Sequence, residues 1–164
     1  MIQASEYGKI FNDRLNKGAF LNTSNGQKAN TMTISWGSLG IMWGAPTVTI
    51  MVRQTRYSKE NLNAVKAFTL SVPMDDSYKN ALALCGSKSG RDTDKFAAAG
   101  ITLQAPKTGI VPVIGGGPFL QLECSVVYER KMDLACLNPD EREKWYGDTE
   151  HTFYIGKINA VYTV

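Results

Sequence analysis

From Leu120 to Glu129 the residues alternate with a period of two: Leu120, Leu122, Cys124, Val126 and Tyr128 against Gln121, Glu123, Ser125, Val127 and Glu129. A helix cannot present such a pattern on one face, so this segment commits the chain to a long, half-buried strand and a sheet with one face on a core. Other segments fit the same sheet. Ala19 to Thr23 reads as a first strand, Asn25-Gly26 as a type I′ hairpin turn, and Asn30 to Trp36 as the returning strand. Gly44-Ala45-Pro46 turns the chain into Thr47 to Arg53, β-branched and apolar. Ala67 to Val72 is a strand stopped by Pro73, and His151 to Val164 is a final strand.

The predicted helices are short and lie between strands. Ser58 caps one through Glu60, Leu62 and Val65. Asp76 or Ser77 opens Tyr78 to Cys85, ended by Gly86; Thr93 or Asp94 caps Lys95 to Ala99, ended by Gly100. Ile110 to Pro118 is a loop or crossover, and Asn138 to Lys144 is a charged excursion of one helical turn. With no repeat and no linker, residues 1–164 read as a single domain: mainly β, a closed or partly open antiparallel barrel with short helical insertions.

Composition excludes several classes. The net charge of +3 is too small for the basic face of a nucleic-acid binder. No apolar run reaches the roughly 18 to 20 residues that span a bilayer, and Met1 to Glu6 lacks the pattern of a signal peptide, so the expected setting is the cytoplasm, off the membrane. Cys85, Cys124 and Cys136 are widely spaced, and His151 is the only histidine, so a zinc site is not expected and the thiols read as reduced. One histidine and no Gly-x-Ser-x-Gly elbow leave nothing for a serine triad.

Four segments carry binding chemistry. Asn30-Thr31-Met32-Thr33-Ile34-Ser35-Trp36-Gly37 offers short neutral donors and ends in an aromatic. Arg53-Gln54-Thr55-Arg56-Tyr57-Ser58 follows a strand with two guanidinium groups suited to phosphate oxygens; the alternative is a solvated strand end. Cys85 to Asp92 holds Ser87, Ser89, Lys88 and Arg91 between Gly86 and Gly90, and can present N–H groups and hydroxyls to an anion, or be a polar loop only. Tyr146 to Gly156 contains His151, with Asp148 and Glu150 near enough in sequence to orient or charge the ring. Gly115-Gly116-Gly117 lacks the dinucleotide-binding pattern.

Together with Lys17 to Leu21, Phe68 to Pro73 and Lys95-Phe96, these segments resemble the flavin reductase-like family, in particular its flavoredoxin-like branch. The resemblance implies an FMN-binding split β-barrel of Greek-key type, working as a homodimer with flavin sites at or near the subunit interface. It implies that Asn30, Thr31, Met32, Thr33, Ser35 and Trp36 line the flavin. Arg53, Thr55, Arg56 and Tyr57 would meet its phosphate or ribityl chain, and Ser87, Ser89, Arg91 and Lys95 would add anion contacts. His151 takes the position near the nicotinamide. Physically, Trp36, Trp43, Met32 or Tyr57 can supply a flat wall and Thr31, Thr33 and Ser35 donors, while the flavin carries the electrons.

The leading expectation is an FMN-dependent oxidoreductase fed by NADH or NADPH, passing electrons to a free flavin, a quinone-like acceptor or a redox partner protein. The alternatives are a flavoredoxin-type electron carrier without its own nicotinamide site, and a flavin-binding protein that turns nothing over. A thiolate role for Cys85, beside the cationic loop, is a weaker expectation than buried packing.

Overall fold

A computed structural model describes residues 3–147 and 149–164 of the chain. Helix α1 (Ala4–Arg14) runs through a 3₁₀ turn, Leu15–Lys17, into a hairpin of β1 (Ala19–Ser24) and β2 (Ala29–Ile34). A second hairpin follows, β3 (Gly37–Met42) and β4 (Ala45–Arg53). Helix α2 (Tyr57–Ala64) leads to β5 (Ala67–Pro73); α3 (Lys79–Ser87) and α4 (Lys95–Ala99) precede the short pair β6 (Thr102–Gln104) and β7 (Val113–Gly115). Two long strands, β8 (Phe119–Lys131) and β9 (His151–Thr163), flank a 3₁₀ turn, Leu134–Cys136, and α5 (Pro139–Trp145).

The main sheet has seven strands in the order β2-β1-β5-β8-β9-β4-β3, every pair antiparallel. Its two outermost strands, β2 and β3, are consecutive in the chain and joined only through Ser35 and Trp36. Three Cα steps reach at most about 11 Å. The edges must therefore meet at that end, which curls the sheet into a barrel left open between β2 and β3. This is the expected split barrel with a Greek-key strand order.

The interior is the apolar face of each strand, including Leu21, Val48, Ile50, Leu70, Leu122 and Tyr154, all fully buried. Register shifts at Glu123/Cys124 and Val126/Tyr128 bend β8 against β9 and let one long pair serve both sides of the barrel. Gly156 sits at a close approach of the strands: a Cβ there would lie 2.5 Å from Phe68 Cζ and 2.9 Å from Cys124 Cβ. Phe11 of α1 is fully buried and packs into the core with Leu15. No helix among the described residues is long and apolar enough to cross a membrane.

Several boundaries differ from the sequence reading. The expected strand 30–36 ends at Ile34, and β1, β2 and β4 are joined by the unexpected β3 and by α1. The first hairpin turns on Gly26 and Gln27, because the Asn25 side chain accepts from Gln27 N (2.9 Å) and Lys28 N (2.7 Å) and so fixes Asn25 ahead of the turn. Gly26 has φ +95° while neither Asn25 nor Gln27 is positive, so this is not a type I′ turn. The type I′ sign pattern occurs instead at Trp43 (φ 51°) and Gly44 (φ 71°), between the paired Met42 and Ala45. Ser58 does not cap α2; Arg56 holds that place, since the Ser58 hydroxyl accepts from Asn30 Nδ2 at 3.0 Å. Helix α3 starts at Lys79 and runs through Gly86 to Ser87. Asp94 caps α4 and Gly100 ends it at φ 63°.

The alternating strand holds a further surprise. Gln121 and Glu123, on its polar face, are buried beneath the segment that runs from β6 to β7. Gln121 Nε2 donates to Ile114 O (2.6 Å) and its carbonyl accepts from Ser71 (2.6 Å). The Glu123 carboxylate accepts from the N–H groups of Lys107 (2.5 Å), Thr108 (2.7 Å) and Gly109 (3.2 Å), and from the hydroxyls of Thr108 (2.6 Å) and Tyr162 (2.8 Å). Burial alone would raise this carboxyl, but the donors outweigh it and hold it below its ordinary value. Glu123 thus fastens the crossover to the barrel.

Candidate functional site

The end of β2, the crossover to β3, the end of β4 and the start of β9 meet at one rim of the barrel. Two compartments lie there. The first, about 170 Å³, runs along Met32 to Trp36 and is completed by Met51, Arg53, Arg56 and His151. The second, about 100 Å³, lies between β2 and the α3–α4 loop, with Asn30, Tyr57, Ser89, Gly90 and Arg91 around it. Met32 and Arg56 line both, so the two form one bent cleft.

At the first compartment the chain supplies an aromatic corner. Trp36 lies 5.6 Å from the His151 ring and T-shaped to Trp145 at 5.0 Å. The Tyr146 hydroxyl is 2.9 Å from His151 Nδ1. Burial, with Arg53 and Arg56 nearby, pushes the His151 imidazole down to about 4, so it is uncharged at neutral pH. Glu150 does not touch the ring; it pairs with Lys131 at 2.7 Å, which holds its carboxyl low. Asp148 lies outside the described residues. The expectation of an acidic neighbour is therefore replaced by a phenol and two cations, because the strand start at His151 points Glu150 the other way.

The two arginines of the expected clamp part company. Arg53 donates Nη1 to Thr149 O and Nη2 to Trp145 O, both at 3.0 Å, with Tyr146 under its guanidinium at 5.4 Å. Two carbonyls occupy the fork that a phosphate would need. Among the described residues, no acceptor meets the Arg56 guanidinium, which sits exposed where the compartments join.

The second compartment is shaped by close packing. A Cβ on Gly90 would stand 1.9 Å from Asn30 Oδ1 and 3.1 Å from Tyr57 Cδ1. Asn30 cannot retreat, being buried and bonded to Ser58. Arg91 donates to Thr55 O (3.2 Å), pairs with Glu60 and lies 5.4 Å over the Tyr57 ring. Thr55 thus meets the site through its carbonyl. Ser89 contributes its hydroxyl, which also accepts from Arg91 N at 3.2 Å.

Three predicted residues work differently. Lys95 is buried and gives its ammonium to Thr31 O (2.8 Å) and Cys85 O (2.9 Å); burial lowers its pKa, and Arg56 adds to that. It joins α3 and α4 to β2 from beneath the cleft. The Thr33 hydroxyl donates to Leu82 O at 2.6 Å and docks α3. Ser87 turns its hydroxyl back to Ala83 O (2.9 Å) and Leu84 O (3.2 Å). Thr31 is fully buried, its hydroxyl without a partner among the described residues. Ser35 stays exposed on the cleft. Trp43, proposed for the wall, stands 70% exposed at the β3–β4 tip, away from the cleft and 6.4 Å from the Tyr128 ring. Burial pushes the Cys85 thiol up to about 11, against the pull of Lys95, so it is no thiolate.

Sequence reasoning gave no site role to Met51, nor to Tyr146 and Gly90, although both of these lie in segments it singled out. Met51 stands two residues before Arg53 on a strand and so shares its face, a signal that was present. Nothing local marks Tyr146, whose role depends on the fold of residues 132–150.

The cleft fits a long planar anion such as a flavin mononucleotide: an aromatic corner at one end, a glycine-floored polar loop at the other, and an uncommitted guanidinium between them. The comparisons agree in kind. The flavoredoxin of Desulfovibrio vulgaris (Miyazaki F) superposes with a TM-score of 0.71 at 22% identity, over 90% of this chain and 69% of that one. An FMN-binding domain of a flavin reductases-like enzyme from Shewanella baltica gives 0.71 at 14%, over 98% and 74%. The NADH:FAD oxidoreductase of Streptomyces globisporus gives 0.65 at 17%, over 100% and 87%. At such identities these likenesses show the shared fold. No curated protein matches the sequence. The model of the flavin reductase like domain matches residues 13–164, nearly the whole chain, and the protein belongs to that family.

Proposed function

We propose that the chain binds FMN in the bent cleft and works as an oxidoreductase, taking electrons from NADH or NADPH and passing them to a flavin or a protein acceptor. The observation that carries this is Arg56, whose guanidinium meets no acceptor among the described residues and is shared by an aromatic compartment and a glycine-floored loop. Arg56 would hold the phosphate, with Ser89 and the N–H groups of the Ser89–Arg91 loop beside it. Met32, Ser35 and Trp36 would line the ring. Bound FMN supplies the hydride-accepting and electron-releasing chemistry. Tyr146 fixes the His151 imidazole through Nδ1 and leaves Nε2 as its remaining polar atom. The uncharged ring leaves the local positive charge to Arg53 and Arg56, which favours electron-rich states of a bound anion.

The relatives' names, flavoredoxin and NADH:FAD oxidoreductase among them, support a redox role. A flavoredoxin-type carrier is the second reading. It is favoured by Arg53, whose fork is taken by the carbonyls of Trp145 and Thr149 and so is not available to a nicotinamide dinucleotide. A homodimer is part of the proposal: β3 is an outer strand without a charged residue, and its Ile41 is 72% exposed. The free thiols suit a reducing, cytoplasmic setting.

The test is the absorption spectrum of the purified chain with FMN, then anaerobic NADH and NADPH. Bleaching of bound FMN by either nucleotide is the expected result. Bleaching only by dithionite selects the carrier, and no flavin binding removes both readings. Sedimentation at several concentrations tests the dimer.

A further inference from the structure

The excursion between β8 and β9 builds a second cavity beside the cleft. Met132 leaves β8 still in the ladder, its N–H on His151 O at 2.9 Å. The 3₁₀ turn and α5 then fold back over the sheet. Met51 and Phe153, register partners on β4 and β9, contribute to this cavity with Trp36, Met132, Leu137 and Trp145. It measures about 370 Å³, within the range of small-molecule sites, and its lining is mostly apolar.

Three observations say what such a cavity takes. It is continuous with the aromatic compartment, since Trp36 and Met51 line both. Its wall is held in place: Arg53 grips the carbonyls of Trp145 and Thr149, and Trp36 stands edge-on to Trp145. Its charged lining group is a carboxylate, Glu141, which accepts from Trp145 Nε1 at 2.9 Å. Flat, polarisable indole and thioether groups favour a planar conjugated ring. The Lys144 ammonium lies 5.0 Å from the Trp145 ring but is not among the lining groups, so the carboxylate sets the sign and an anionic ligand is disfavoured.

We propose that this cavity is the acceptor subsite, and that it takes an uncharged quinone of one or two rings. The proposal rests on the flavin reading of the neighbouring cleft. In the overall reaction one NAD(P)H and one proton reduce one quinone: two electrons and two protons end on the two carbonyl oxygens, leaving a hydroquinone and NAD(P)⁺.

The test is a titration of the full chain, stripped of FMN and again loaded with it, with tetramethyl-1,4-benzoquinone, which has no ring position open to thiols. Binding is read by calorimetry and tryptophan quenching. Saturable binding in both forms is expected, at least tenfold weaker for Leu137→Asp while FMN affinity stays within twofold. Trp145→Ala, on the exposed α5, serves if the first variant does not fold, with the same loss expected. 2,3-Dimethyl-1,4-naphthoquinone-6-sulfonate should bind at least tenfold more weakly than neutral 2,3-dimethyl-1,4-naphthoquinone, and Glu141→Gln should narrow that gap. No saturable quinone binding, an unchanged affinity in the variant, or equal binding of the sulfonate overturns the proposal. Quinone binding without FMN binding keeps the cavity and removes the flavin reading; FMN binding without quinone binding does the reverse.

Discussion

The two ends of the cleft are built on opposite principles. At the loop end, tightness does the shaping: Gly90 lies against Asn30 and Tyr57, Asn30 is tied to Ser58, and Lys95 satisfies two carbonyls from below. At the aromatic end, contacts are made by an excursion that folds back, and His151, Tyr146, Arg53 and Trp145 hold one another. The loop end is held by contacts 10 to 64 positions apart in the chain. The aromatic end depends on contacts between residues nearly a hundred positions apart. At both ends a cation is spent on carbonyls, Arg53 at the aromatic end and Lys95 at the loop end, while Arg56, between them, meets no acceptor among the described residues.

The largest expected effect is at the aromatic end. The His151 pKa is about 4 when folded against 6.5 as an ordinary imidazole. As pH falls, the unfolded chain takes up the proton first. Stability is therefore full above about 6.5 and declines toward pH 4, by roughly 3 kcal/mol from this group. Denaturant titrations at pH 7.5 and 4.5 should show this loss in the parent and a smaller one in His151→Gln. Equal losses would place the ring in water.

Where the ends join, Arg56→Ala should weaken FMN by about 1.5–3 kcal/mol, the scale of a charge-assisted hydrogen bond, and weaken riboflavin little. Equal losses for both ligands in calorimetry would remove Arg56 from the phosphate. At the loop end, Gly90→Ala should destabilise the fold by about 1–3 kcal/mol, since the Cβ would meet Asn30, which is buried and tied to Ser58. A melting temperature unchanged from the parent would mean the loop is looser than its packing. The smallest effect is that of Tyr146→Phe, about 1 kcal/mol for a single hydrogen bond. Its signature is a change in the His151 titration, read by NMR, with the rest of the fold undisturbed.

The strands were legible because their signals are local. Thr47 to Arg53 and Leu120 to Glu129 show their period in a few residues, and Asp94 and Gly100 mark the ends of α4. The turn chemistry was less legible. Asn25-Gly26 promised a type I′ turn, yet the Asn25 side chain accepted two backbone N–H groups and moved the turn by one residue. The type I′ sign pattern instead falls on Trp43-Gly44, where an aromatic residue accepts a left-handed backbone. The site was legible as a set of segments and not as a set of roles: the sequence cannot say that Thr33 docks a helix while Ser35 faces the cleft.

The sequence by itself determined β1, β2, β4, β5, β8 and β9, the short helices between them and the rim segments rich in hydroxyls and cations, but not α1, β3, β6 or β7. Periodicity and capping are properties of neighbouring residues, so they survive without the fold. Only the tertiary structure decided that β2 and β3 become opposite edges of one sheet two residues apart, that Gln121 and Glu123 are covered, that Lys95 and Arg53 are spent on carbonyls, and that Arg56 meets no acceptor among the described residues. Whether a charged side chain is structural or available depends on which acceptors reach it in space, and those acceptors lie 10 to 96 positions away in the chain.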